Sequence, residues 1–330
     1  MRKRLLAGLA LVGALALATA GCSGSSSSGD STAGASGGSA KQLTVGFAQT
    51  GSESGWRAAN TQSMKDAFSE KNGFKLIFNA ADNKQEAQIA AVRSFINQGV
   101  DAIVIAPITV DGWDDVLKEA KDAGIPVVLE DRTINVSDKS LYASWIGDDF
   151  EKEGETAGAW AKQTFTGATN MVVLEGTTGS APAIDRATGF AKGMGSAPIT
   201  TLDSQTGNFT RADGKTVMEG FLQKYGKTIN VLFAQNDDMG LGALDAITAA
   251  GLVPGKDIQI VSIDATHDGL QALSDGKFNF VVECNPLLGD QVAQLVKKVV
   301  AGDPVEKAYT ATDQSFTQAQ ATAALPDRKY

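Results

Sequence analysis

From Leu43 onward the chain alternates short apolar runs with longer stretches in which apolar residues recur at helical spacing. Leu43–Gln49, Lys75–Asn79, Asp101–Ala106 and the run opening at Ile125 and Pro126 are too short for helices and read as strands. Between them the pattern predicts a helix from Trp56 to about Lys71 with Gly73 behind it. A second helix, capped by Asp82, carries Ile89, Val92, Phe95 and Ile96 to Gly99; a third, capped by Asp111, runs through Val116, Leu117 and Ala120 to Gly124. The same alternation then repeats: predicted helices at 151–165, 183–194, 211–225, 238–250 and 286–301, predicted strands at 171–175, 199–204, 231–234, 258–263 and 278–283. Strands interleaved with helices of this length predict βαβ units and parallel sheets, and two successive sets predict two lobes of α/β class. Trp145–Phe150 has no strong pattern and reads as a crossover between the sets, and Thr310–Tyr330 carries no strong signal.

The polar residues are sorted. Val127–Arg132, VVLEDR, is a buried-strand pattern that ends in Glu130, Asp131 and Arg132. Ligands of open α/β sheets bind outside the carboxyl ends of strands, so residues at that edge are candidate contacts. Glu53, Trp56 and Arg57 follow the first strand; Arg186 follows Glu175; Phe209 follows Ser204; Asn236 follows FAQ; Asp264 ends VSID; Cys284 and Asn285 end FVVE. Carboxylates, amides and guanidinium forks suit a ring of hydroxyls, and aromatic planes suit the C–H faces of a sugar. Trp56 and Phe209, one from each set, are placed to sandwich such a ring, with Asp131, Arg132, Arg186, Asn236 and Asp264 around it. Taken singly, Trp56 and Phe209 read as core aromatics and Asn236 and Asp264 as helix caps, and Asp131 with Arg132 reads equally as a salt bridge at a strand end; it is their coincidence at one edge that points to a ligand.

Composition narrows the partners. The net charge is -9 with no basic block, which argues against nucleic acid. Met1–Arg4 is a positive leader and Leu5–Ala18 an apolar run of signal-peptide length, shorter than the ~20 residues of a membrane span. It ends in Thr19-Ala20-Gly21-Cys22, which resembles a bacterial lipobox with Cys22 as the lipidated residue, the alternative being plain secretion. Residues 23–40 are almost only Ser, Gly, Ala and Thr and read as a tether. With two cysteines and one histidine in the chain, thiol-histidine or zinc machinery lacks parts, and no metal or cofactor is expected. Gly214-Lys215-Thr216 lacks the earlier glycine of a phosphate loop, and Gly240 with Gly242 reads as close helix packing.

The motifs QTGSESGWR, QIAAVRSFINQGVDAIVIAP, EDR, GTTGSAPAIDRATGF, SQTGNFTR, AQNDDMGLGAL and SIDATHDGL together resemble the ribose- and galactose-type periplasmic binding proteins, the solute receptors of ABC importers, across about Leu43–Pro304. SESGWR is most similar to the galactofuranose-binding branch. The resemblance implies two Rossmann-like lobes, each a parallel sheet flanked by helices, joined by a three-strand hinge, a type I fold. It implies a first lobe of 41–146 plus about 285–310 and a second of 147–284, to which 311–330 is a candidate addition, after a signal of 1–22. Crossovers are expected near Ile146, near Asp264–His267 and near Cys284. The family's sugar contacts fall on Trp56, Arg57, Asp131, Arg132, Arg186, Phe209, Asn236 and Asp264, with Glu53 and Asn285 as further candidates and Cys284 or Asn285 at the position of a family glutamine. Implied with them are a monosaccharide ligand, the membrane subunits of an ABC importer, a lipid anchor, a monomeric state and a place outside the cytoplasm. Two rivals stand beside this reading. A ligand-sensing ectodomain would share the fold and differ in partner. A glycosidase would need two carboxylates flanking a bond, and the neighbours Arg132 and Arg186 are expected to keep Asp131 and Asp264 ionised, which is poor for a general acid. A repressor of related fold is excluded by the export signal and by the lack of a basic helix-turn-helix before Leu43.

Overall fold

The computed structural model describes residues 42–330; the leader, Cys22 and the tether, where the signal and lipidation were expected, lie outside the described residues. Runs such as AIVI and VLFA are buried at every position, the mark of strands covered on both faces. In chain order the elements are β1 (Leu43–Gln49), α1 (Gly55–Ala67), β2 (Phe74–Ala80), α2 (Gln85–Gln98), β3 (Ala102–Ile105), α3 (Asp114–Asp122), β4 (Val127–Glu130) and β5 (Ser144–Gly147). They continue as α4 (Phe150–Thr164), β6 (Thr169–Glu175), α5 (Ala181–Met194), β7 (Ile199–Thr206), α6 (Arg211–Tyr225), β8 (Val231–Ala234), α7 (Asp237–Ala249), β9 (Gln259–Asp264) and α8 (His267–Ser274). The last are β10 (Phe280–Glu283), α9 (Gly289–Ala301), β11 (Ala308–Thr310), β12 (Ser315–Phe316) and α10 (Gln318–Ala324).

Two six-stranded sheets result among the described residues, ordered β11-β5-β4-β3-β1-β2 and β12-β10-β9-β8-β6-β7. Their strand pairings are parallel except that of β10 with β12. Helices cover both faces of each sheet, so the architecture is two α/β lobes. The chain passes between them three times: after β5, after β10 and between β11 and β12. The crossover expected at Asp264–His267 is therefore wrong. β9 and β10 are neighbours in one sheet and α8 joins them within that lobe, while the third passage is made by residues 311–314. After β10 the chain returns to the first lobe, where Leu288, Val292 and Val296 pack with Phe47, Met64 and Phe74. Beyond Thr310 the chain rejoins the second lobe, where β12 pairs with β10 and Arg328 reaches Glu283 at 2.6 Å.

Three local expectations also change. Asp82 does not cap α2: it and Asn83 form a left-handed turn at φ 50° and 55°, a conformation Asp and Asn tolerate, and the helix starts two residues later. Asp111 does not cap α3 either. Gly112 at φ 87° turns the chain, and buried Trp113, whose indole N–H donates to the Thr109 carbonyl at 2.8 Å, fixes the start. Residues 144–147, read as unpatterned, form β5; Ser144 is buried there because its hydroxyl donates to the Glu306 carbonyl at 2.8 Å.

Helices α4 and α5 lie backbone to backbone. A Cβ at Gly154 would fall on the Arg186 carbonyl, and one at Gly189 on the Glu151 carbonyl. Gly154→Ala is expected to cost about 1–3 kcal/mol by overpacking and to displace the turn that carries Arg186. Gly220, in α6, has open space where a Cβ would stand, so Gly220→Ala is expected to stabilise by about 0.5–1 kcal/mol. Melting temperatures of the two variants moving in the same direction would refute this account of the α4–α5 contact.

Candidate functional site

In the first lobe, the turn after β1 presents Glu53, Trp56 and Arg57. Ser54 caps α1 by accepting the Arg57 N–H at 3.1 Å, which sets both Trp56 and Arg57 in the first helical turn. Arg57 is buried and donates to Asp131 Oδ2 at 2.6 Å and to Glu53 Oε1 at 3.1 Å. Burial opposes its charge, yet Asp131 and Glu53 outweigh burial and hold the guanidinium firmly protonated. Burial likewise raises the Glu53 carboxyl, but Arg57 and Arg132 prevail and draw it below the ordinary range. Asp131 sits at the end of β4 with φ 63°, a left-handed conformation that swings its carboxylate off the strand line. Arg132 reaches Glu53 and Asp131 only at 3.5 Å, and burial with Arg57 alongside lowers it to about 10. Its Nε and Nη1 have no hydrogen-bond partner among the described residues.

The second lobe supplies Phe150, Pro182, Arg186, Phe209, Asn236 and Asp264. Phe209, at φ 62°, lies on Gly176, where a Cβ would collide with its ring, so the glycine after β6 is what admits the aromatic. Asn236 performs both jobs open to it: its side chain caps α7 by accepting Met239 N–H at 3.0 Å and donates to the Phe209 carbonyl at 3.1 Å. Asp264 is not a cap, since Thr266 caps α8. It stands at φ 128°, with Oδ1 3.7 Å from Arg186 Nη2 and Oδ2 without a hydrogen-bond partner among the described residues. Burial pushes its carboxyl well above the usual range, and Arg186 does not reverse this. The expectation that Arg186 keeps Asp264 ionised is thus overturned, because loss of solvent outweighs a guanidinium beyond bonding distance.

These groups line one cavity: Glu53, Trp56, Arg57, Asp131, Arg132, Arg186, Phe209, Asn236 and Asp264 all reach it, joined by Ser54, Phe150, Pro182 and Cys284. Trp56 is at once a core aromatic, packed with Phe150 and Cys284, and a cavity wall, its indole N–H donating to the Cys284 carbonyl at 2.7 Å. Asn285 does not reach the cavity. Its side chain accepts Leu287 N–H at 2.9 Å, and Cys284 stands in its place. Phe150 was missed because it belongs to the stretch after β5 that reads as unpatterned. Hydrogen bonds also pass directly between the lobes, from Val110 N to Gly179 O at 2.9 Å and from Gly55 N to Asp238 Oδ2 at 2.7 Å, so the lobes are closed on the cavity.

The chain matches the model of the periplasmic binding protein domain over residues 45–304. It belongs to the periplasmic binding protein family. Galactofuranose-binding protein YtfQ of Escherichia coli is 47% identical over 87% of this chain and 89% of its own. A crystal structure from Mycobacterium smegmatis in complex with β-D-fucofuranose is 57% identical, covers 87% of this chain and 95% of its own, and superposes with a TM-score of 0.85. The arabinose ABC transporter component of Shewanella sp. ANA-3, bound to α- and β-L-arabinofuranose, is 46% identical over 87% and 95% of the two chains, with a TM-score of 0.83. Membership confirms the type I architecture of two lobes on a three-segment hinge, and it implies an extracytoplasmic location. These relatives are binding proteins, and that, rather than the ionisation of Asp264, is what speaks against a glycosidase.

Proposed function

We propose that the protein is an extracytoplasmic receptor for a monosaccharide in its furanose form, galactofuranose or a related aldose, which it delivers to an ABC importer. The observation that carries this reading is a pair of orphaned groups. Arg132 from the first lobe and Asp264 from the second are both buried, both line the cavity, and each keeps polar atoms without a hydrogen-bond partner among the described residues. An unmade hydrogen bond on a buried polar group costs about 1–3 kcal/mol, and more on a charged one such as the Arg132 guanidinium, so a ligand supplying hydroxyls to both lobes favours the closed form. Trp56 and Phe209 offer apolar walls; Glu53, Arg57, Asp131, Arg186 and Asn236 offer the remaining polar rim. The furanose relatives support the ring form. Closure is the signal an importer reads, and lipidation at Cys22 with the 23–40 tether would hold the receptor beside it.

A thermal-shift screen of monosaccharides that includes both ring forms of galactose is the test. At about one hundred times its dissociation constant the cognate sugar is expected to stabilise by about 2.7 kcal/mol. A melting temperature unmoved by every sugar would end the carbohydrate reading.

A further inference from the structure

Arg186 is the cavity guanidinium whose orientation is set from behind. Its Nε donates to Glu153 Oε2 at 2.7 Å and its Nη1 to the Gln235 carbonyl at 2.6 Å, while Asp264, at 3.7 Å from Nη2, lies beyond bonding distance. Glu153 is itself buried at 2% exposure, does not reach the cavity, and has Oε1 without a hydrogen bond among the described residues. It stands one residue before Gly154, on which the Arg186 backbone rests. We propose that Glu153 is a positioning residue for sugar binding, holding the Arg186 guanidinium in the plane that meets the ligand. The proposal rests on the sugar-binding reading above.

The physical reason is the fork geometry of arginine. A guanidinium anchored at Nε and Nη1 has its plane fixed and presents Nη2 in one direction. Without Glu153 only the Gln235 carbonyl remains as a short contact, and the fork is free to turn toward Asp264, giving up the direction it offers a sugar hydroxyl. The other groups facing Glu153 do not replace it. Asp148, Asp313 and Cys284, on the three passages between the lobes, make no hydrogen bond to Arg186 among the described residues, and Asp264 Oδ1 stands 3.7 Å from Arg186 Nη2.

The test is a double-mutant cycle in calorimetric affinity for the sugar that gives the largest thermal shift, with each variant's melting temperature alongside. Glu153→Ala is expected to weaken binding ten-fold or more. Glu153→Gln, which keeps an acceptor oxygen in place, is expected to restore most of that loss. In an Arg186→Ala background, Glu153→Ala is expected to change affinity by less than two-fold, because the residue it acts through is gone. Equal losses in both backgrounds, or a Glu153→Ala affinity within two-fold of the parent, overturns the proposal and leaves the receptor reading standing. A parent protein that binds no sugar overturns both. If Glu153→Ala does not give a cooperative melt, the cycle is run with Glu153→Met, which keeps the volume and removes the carboxylate acceptor, and Arg186→Gln, where additive losses overturn the proposal and non-additive losses sustain it.

Discussion

Asp131→Asn is expected to weaken sugar binding by ten-fold to more than a hundred-fold, measured by titration calorimetry. Asparagine tolerates the left-handed backbone at φ 63° as well as aspartate does, so the Asp131 N–H to Ile146 carbonyl bond at 2.8 Å and the course of the chain are retained. What is lost is charge. Asp131 Oδ2 lies 2.6 Å from Arg57 Nη2 and 3.5 Å from Arg132 Nε, and it is the anion placed between two buried guanidiniums. Hydrogen bonds to charged groups contribute about 1.5–3 kcal/mol, which sets the range of the affinity loss. The same change is expected to lower the melting temperature, because removing one partner of a buried ion pair costs about 3–5 kcal/mol. Glu53, 3.1 Å from Arg57 and 3.5 Å from Arg132, stays behind to compensate in part and keeps the loss toward the low end. An unchanged affinity would remove Asp131 from the site.

The lobes and most of the cavity were legible in the sequence because one physical rule sorts them: a buried parallel strand is apolar until it emerges, and the polar residues at its carboxyl end stand at the ligand edge. Asp131 and Arg132, just past β4, and Asp264, which closes β9, obey it, and all three reach the cavity. Residues whose role depends on packing across elements were not legible. Glu153 reads as one more acid on a charged helix, and only the closeness of α4 and α5, set by Gly154 and Gly189, places it behind Arg186. Glycines four residues apart on α4, at 154 and 158, were the available signal. Cys284 and Asn285 were adjacent candidates that a strand end cannot separate; the extended chain after β10 turns one toward the cavity and ties the other to Leu287. The third hinge passage was misplaced because residues 308–316 form strands of three and two residues, too short for any period to declare itself.

The sugar-free protein is expected to melt several degrees higher at about pH 5.5 than at about pH 8, because the native state holds protons that the unfolded chain releases. Burial raises Glu130, Glu153 and Asp237 to about 7 and Asp313 to about 6, and drives Asp148 and Asp264 well above their ordinary values. In the unfolded chain these groups titrate near 4. A carboxyl raised by folding contributes stability that is fully present below the unfolded value and is lost as pH rises through the folded value, so the loss falls between about 4 and 7. Each retained proton changes stability by about 1.4 kcal/mol per pH unit, and each kcal/mol moves the melting temperature by about 2–4 °C in a chain somewhat smaller than this one. Glu53 runs the other way: its lowered carboxyl stabilises above the ordinary value and is lost only as pH falls below about 4, outside the window compared. Repulsion from the net charge of -9 also grows with pH, but between exposed charges it is screened at 1 M salt, where the Debye length is about 3 Å. The buried and partly buried carboxyls are screened much less, so most of the fall is expected to persist in 1 M salt and to shrink in Asp313→Asn. A melting temperature that is level across this range, or a fall that vanishes in salt, would show that these carboxyls are not held protonated in the native protein.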